Sequence, residues 1–185
     1  MNTRKVLSGV AVIMCAAAIG CGAASEDSPG AATGGEGGKG LVGKPAPDFT
    51  VAAVVNGKGK VSLGSLQGKV VLLDFWGTFC EPCKKSFPKL QDLYTKYGDS
   101  GLRVLGVSED EADDKDKIPE FASNYGAKFT LGWDRDKNVA RSYKPETMPS
   151  SFLIDKSGVV RFAHVGYHDG EEVEIEKEIK QLLGQ

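Results

Sequence analysis

An α/β sandwich is the fold class this sequence predicts, and three observations predict it. The apolar run Val70 to Trp76 is far too short to cross a membrane as a helix and has the length of a buried strand. From that run onward strand-like and helix-like segments alternate, the pattern of a sheet covered by helices. The last strand-like segments then stand side by side as a hairpin before a closing helix. About 145 residues from Leu41 to the C-terminus are enough for one domain with a real core.

Taken in order, the chain opens on Arg4 and Lys5 and an apolar run from Val6 to Ile19 without an acid, which reads as a secretory signal over residues 1–20. Ala18-Ile19-Gly20-Cys21 resembles a bacterial lipobox, so Cys21 is the expected lipidation site and the lipid the expected membrane anchor. Gly22 to Gly40 holds seven glycines and four alanines among Ser, Thr, Asp and Glu. That stretch cannot bury enough apolar surface to fold, and residues 21–40 read as a flexible linker. Loss of Arg4 and Lys5 with the signal leaves 21 of the 23 basic residues against 25 acidic ones, a net charge of −4. With no basic cluster, that mild acidity argues against a nucleic-acid partner.

Phe49 to Val55 and Lys60 to Leu63 read as a β-hairpin about the turn dipeptide Asn56-Gly57. Val70 to Trp76 is the central strand. Glu81 to Tyr97 is a helix because Phe87, Leu90, Tyr94 and Tyr97 recur at helical intervals, and Gly98 to Gly101 stops it. Arg103 to Ser108 is a second, parallel strand, Ile118 to Tyr125 a helix, and Phe129 to Trp133 a further strand. Asn138 to Tyr143 is a short helix, Ser151 to Asp155 and Val159 to Val165 an antiparallel pair, and Glu171 to Leu183 the closing helix. The acidic run Glu109 to Asp114 lacks the spacing and central glycine of a calcium loop and reads as a solvated loop that caps the next helix. His168, near a strand end, has no second ligand beside it and reads as structural.

The chemistry gathers where the central strand meets the first helix. Cys80 and Cys83 stand at a strand end and a helix N-terminus together, where free N–H groups and the helix dipole favour a thiolate over a thiol. Cys80, the outer sulfur, is the expected nucleophile. Cys83, one turn further in, is shielded and suits a resolving thiol, and Pro82 fixes the first turn without losing a needed hydrogen bond. A C-x-x-C pair is also half a zinc site. The remaining candidate ligands are Cys15 and Cys21 near the N-terminus and His164 and His168 far downstream, so no metal is expected. Asp74 interrupts an otherwise apolar strand, where an ionised, unpaired carboxylate would cost several kcal/mol, and is expected as a buried acid of raised pKa.

At these residues the chain resembles the thioredoxin-fold thiol-disulfide oxidoreductases and, within them, the membrane-tethered TlpA/ResA kind. Lys44-Pro45-Ala46-Pro47-Asp48-Phe49 looks like the opening motif that this group shares with peroxiredoxins. Phe75-Trp76-Gly77-Thr78-Phe79-Cys80-Glu81-Pro82-Cys83 matches the active-site motif, and Met148-Pro149-Ser150-Ser151-Phe152-Leu153-Ile154-Asp155 looks like the cis-proline strand. The resemblance runs from about Leu41 to the C-terminus. It implies a thioredoxin-like fold: a central mixed β-sheet flanked by helices, with an N-terminal β-hairpin and a central helix-strand insertion. Asp74, six residues before Cys80, matches the family's buried carboxylate, which takes the proton of the second cysteine, and Pro88 matches the proline of the first helix.

The resemblance further implies a redox-active Cys80–Cys83 pair with no cofactor and a cis Pro149 packed against it. Trp76, Pro82, Met148 and Pro149 are then the substrate-binding residues. The implied partners are protein thiols and disulfides, an upstream membrane electron donor and the lipid anchor, for a monomer outside the cytoplasm facing the periplasm. Two departures stand out. Members that act in cytochrome c maturation commonly carry a glutamate three residues after the second cysteine, where this chain has Ser86, and a tryptophan is usual in the family where this chain has Phe79.

Glu81, between the cysteines, opposes a thiolate, which together with the resemblance favours a reductant, in cytochrome c maturation or a related thiol-reducing pathway. Two rival readings are a peroxiredoxin-like peroxidase and a non-catalytic binding module. Peroxiredoxins place a threonine three residues before the reactive cysteine and a proline four before that, where this chain has Gly77 and Leu73. Intact Cys80, Cys83, Asp74 and Pro149 speak against a module without chemistry.

Overall fold

In the computed structural model, which describes residues 37–185, seven strands share one sheet: β1 (Thr50–Val55), β2 (Lys60–Ser62), β3 (Val70–Trp76), β4 (Leu102–Ser108), β5 (Thr130–Trp133), β6 (Ser150–Ile154) and β7 (Val160–Val165). Four α-helices accompany them: α1 (Glu81–Tyr97), α2 (Ile118–Asn124), α3 (Asn138–Tyr143) and α4 (Glu171–Leu183). The strand order is β2-β1-β5-β4-β3-β6-β7. β3, β4 and β5 pair in parallel, and every other neighbouring pair is antiparallel. The expected helix-strand insertion is α2 with β5, and β5 lies inside the sheet between β1 and β4.

β3 is central because all seven of its residues are apolar or able to tolerate burial, and all seven are buried. Alternation along a strand sends successive side chains to opposite faces. Val70, Leu72 and Trp76 therefore join residues of α1, α2 and α4 on one face, while Val71, Leu73 and Phe75 join Val139, Ala140 and Tyr143 of α3 on the other. Phe87 locks α1 to the sheet, with its ring centroid 4.6 Å from Trp76, 4.9 Å from Phe121 and 5.5 Å from Phe129. Gly106 on β4 makes room for this packing, since a Cβ there would come within 2.7 Å of Leu131 and 3.0 Å of the Trp76 indole nitrogen.

The structure refines the sequence reading in three places. The predicted N-terminal hairpin forms over the expected strands, with a turn wider than the Asn56-Gly57 dipeptide: Ala52 pairs with Lys60, and the Ala53 N–H donates to the Gly59 carbonyl. Asn56 instead takes a positive φ of 52° and donates its side-chain amide to the carbonyls of Ala127 and Phe129, tying the loop to the start of β5. Second, the linker does not run to residue 40. Gly38–Leu41 forms a 3-10 turn, and Gly38 is buried so tightly that a Cβ would meet the Phe152 ring at 2.3 Å. Third, the acidic run is not uniformly solvated, because Asp110 is wholly enclosed. The signal, Cys15, Cys21 and the linker up to residue 36 lie outside the described residues, and among the described residues no helix is long and apolar enough to cross a membrane.

Candidate active site

The two cysteines form a disulfide at the junction of β3 and α1. Cys80 is the N-cap of α1, and its sulfur accepts the Cys83 backbone N–H at 3.2 Å. A sulfur placed there meets one of the unpaired donors that every helix start presents, which favours negative charge on it. Cys80 is 6 % exposed and Cys83 0 %, so an incoming disulfide can reach only the first. Exposed Pro82 lies in the first turn, and the Glu81 carboxylate, also exposed, is paired with the Lys84 ammonium.

The Met148–Pro149 peptide bond is cis. Phe75 pairs with Ser150 in the antiparallel β3–β6 ladder, which sets Pro149 across from Trp76, at the sheet end where Cys80 stands. Met148 is half-buried and packs on the core cluster that contains both cysteines. Trp76 itself is not available to a substrate. Its side chain points to the α1 face, is 0 % exposed and lies against Phe87 and Phe121. The aromatic surface beside the disulfide belongs instead to Phe79, which is 65 % exposed. The alternation that buries Trp76 was readable in β3; an aromatic immediately before Cys80 was the signal for its replacement.

Asp110, on the loop after β4, is the residue that sequence reasoning missed. Parallel pairing of β3 with β4 matches Trp76 with Ser108, which brings the two strand ends and the loops leaving them together. The Asp110 carboxylate accepts the Thr78 backbone N–H at 3.0 Å, the Thr78 hydroxyl, and the Ser108 hydroxyl at 2.6 Å. Its own carbonyl accepts the Trp133 indole N–H at 2.8 Å. A buried charge satisfied by several donors fixes the Gly77-Thr78-Phe79 loop that delivers Cys80. Asp110→Ala should therefore cost about 3 kcal/mol and lower the melting temperature by roughly 10 °C. A calorimetric scan that finds it within ~2 °C of the unaltered protein would show that the loop is held otherwise.

Asp74 is fully buried on β3. By alternation its carboxyl shares the face of Leu72 and Trp76, the face on which α1 and Cys83 pack. Burial pushes its pKa from 3.8 up to about 7, the hydrogen bond from Ser151 opposes that rise, and the negative charge of Glu171 adds to it. The Ser151 hydroxyl lies 2.6 Å from Oδ1, and Oδ2 is enclosed without a hydrogen-bond partner among the described residues. Ser86 is also buried, and its hydroxyl donates to the Cys83 carbonyl at 3.1 Å. Of the histidines, His168 is exposed, and His164 pairs through Nε2 with Glu178 at 2.7 Å.

Residues 42–163 match the model of the AhpC/TSA family. The chain is similar to the thiol-disulfide oxidoreductase ResA of Bacillus thuringiensis strain Al Hakam, with 39% identity over 133 residues, 72% of this chain and 75% of that protein. It is similar to ResA of Bacillus subtilis strain 168, with 38% identity over 118 residues, 64% of each. Among solved structures it is similar to a candidate thiol:disulfide interchange protein DsbE from Chlorobium tepidum, with a TM-score of 0.70, 35% identity, and coverage of 76% of this chain and 96% of that one.

Proposed function

The chain belongs to the AhpC/TSA family as a TlpA/ResA-type thioredoxin-like thiol-disulfide oxidoreductase, and from that premise we propose that Cys80 and Cys83 reduce disulfides in protein substrates outside the cytoplasm. The observation that carries this reading is the asymmetry of the pair, one cysteine slightly exposed at a helix N-terminus and the other fully enclosed behind it. The Cys80 thiolate attacks a substrate disulfide, joins one of its sulfurs and expels the other as a thiolate. The Cys83 thiol gives its proton to Asp74, attacks the Cys80 sulfur and releases the second substrate sulfur. Two electrons pass to the substrate and the Cys80–Cys83 disulfide remains, to be reduced again by a membrane electron donor.

Asp74 carries that proton because Ser86 supplies no carboxylate beside Cys83. For the same reason we assign the protein to general thiol reduction ahead of cytochrome c maturation. The substrate approaches over Phe79, Pro82, Met148 and Pro149. Anchoring through a lipidated Cys21 and a position facing the periplasm complete the proposal.

Two measurements test it. The reduced protein should accelerate insulin reduction by dithiothreitol, and Cys83→Ser should retain substrates as mixed disulfides on Cys80 that reductant releases. Peroxide turnover without insulin reduction would favour the peroxidase reading, and absence of both activities the binding module.

A further inference from the structure

Only one of the two Asp74 oxygens is engaged. Oδ1 lies 2.6 Å from the Ser151 hydroxyl, and Oδ2, equally enclosed, has no partner among the described residues. Ser151 is held there by register: in the β3–β6 ladder it stands directly across from Asp74. Opposed residues on antiparallel strands present their side chains to the same face with Cβ atoms about 5 Å apart, within reach of one hydrogen bond. Ser151 is 7 % exposed, so water does not compete freely for its hydroxyl. A serine hydroxyl has a single proton to give, and an ionised carboxylate only accepts. Facing the carboxylate, Ser151 is therefore the donor.

We propose that Ser151 is a positioning residue for the resolving step: by holding Oδ1 it leaves Oδ2 as the oxygen that accepts the Cys83 proton, and by donating to the ionised acid it stabilises the form that can do so. This rests on the reading of Asp74 as the proton acceptor. The step balances: the S–H bond of Cys83 breaks as an O–H bond forms on Oδ2, and the sulfur so freed displaces the substrate from Cys80. Asp74 holds the proton in the oxidised protein and returns it to Cys83 when the pair is next reduced.

The other groups that bear on this acid are few. Cys83 packs from α1 on the same face of the sheet, and Glu171 at the start of α4 raises the pKa of Asp74 through its charge. β4 presents only Gly106 opposite it. On the far side of Ser151 the next residue in the row is His164 of β7, whose Nε2 is taken by Glu178 of α4. Glu178 in turn lies near Glu174 and Lys177. Ser151 is thus the neutral donor between Asp74 and the pair of half-buried His164 with buried Glu178.

The test is stopped-flow reaction of the reduced full-length protein with Ellman's reagent across pH. One thionitrobenzoate leaves when Cys80 attacks and a second when Cys83 resolves. Ser151→Ala should move the ionisation that governs the second phase upward by roughly one pH unit and slow that phase about fivefold near pH 7. The first phase should be unchanged, and Ser151→Thr, which keeps a hydroxyl, should restore the original profile. In an Asp74→Asn background Ser151→Ala should have no further effect. An ionisation that Asp74→Asn abolishes but Ser151→Ala leaves in place overturns the role of Ser151 alone. One that survives Asp74→Asn overturns the reading of Asp74 beneath it.

Discussion

Cys80→Ser should abolish disulfide reduction altogether, whereas Cys83→Ser should retain the first attack and stop there. The difference follows from access and charge together. The outer sulfur is the one a substrate can reach, and it sits at the start of a 17-residue helix with a backbone N–H directed at it. A serine in its place is not ionised near neutral pH and cannot form a disulfide, so no slower version of the same path remains. Cys83→Ser leaves the attacking thiolate intact but removes the group that displaces the substrate. Neither change should unfold the protein. The two cysteines are only three positions apart, and closing so short a loop contributes about 2 kcal/mol. Iodoacetamide should accordingly label the reduced protein at Cys80 first. Faster labelling of Cys83, or insulin reduction by Cys80→Ser, would reverse the assignment of roles.

The site was legible in the sequence where a short span determines its own environment. Val70 to Trp76 is apolar enough that only a central strand accommodates it, and the C-x-x-C pair follows within the same local segment, so strand, helix and cysteine placement could all be read together. What could not be read depends on neighbours brought up from elsewhere. Asp110 looks like one acid in an acidic loop until β3 and β4 are aligned in parallel and Thr78 arrives beside it. Ser151 looks like an ordinary strand serine until β6 runs antiparallel to β3 and sets it against Asp74.

Trp76 and Phe79 show the same limit from the other side. Both are aromatics close to Cys80, and composition does not distinguish them. Trp76 is the last residue of a strand whose even-numbered positions face α1, and so it is driven into the core. Phe79, three residues later, has left the strand, and the Asp110 clamp on Thr78 holds it outward. Asn56 likewise has the composition of a tight turn, yet its side-chain amide bonds to the Ala127 and Phe129 carbonyls, which outweighs the local preference for a two-residue loop.

Asp74→Asn is expected to slow the resolving step at least about a hundredfold, the usual worth of a positioned base, while leaving the first attack by Cys80 within about twofold. The same substitution should stabilise the fold, and the pH dependence of that gain has a definite sign. Asp74 ionises near 3.8 when unfolded and at about 7 when folded. Below pH 4 both states hold the proton, and the buried acid carries no charge penalty. Between pH 4 and 7 the unfolded chain releases the proton and the folded one keeps it, so stability falls as pH rises; above 7 the loss is complete, of order 4 kcal/mol. Asparagine cannot ionise and escapes that loss. The variant and the unaltered protein should therefore melt at similar temperatures near pH 4 and separate by about 10 °C at pH 8.5, with the variant higher. Melting curves that stay parallel across this range would mean that Asp74 is not the buried acid whose ionisation opposes folding. Unequal curves without a slowed resolving step would keep the buried acid and remove its part in the chemistry.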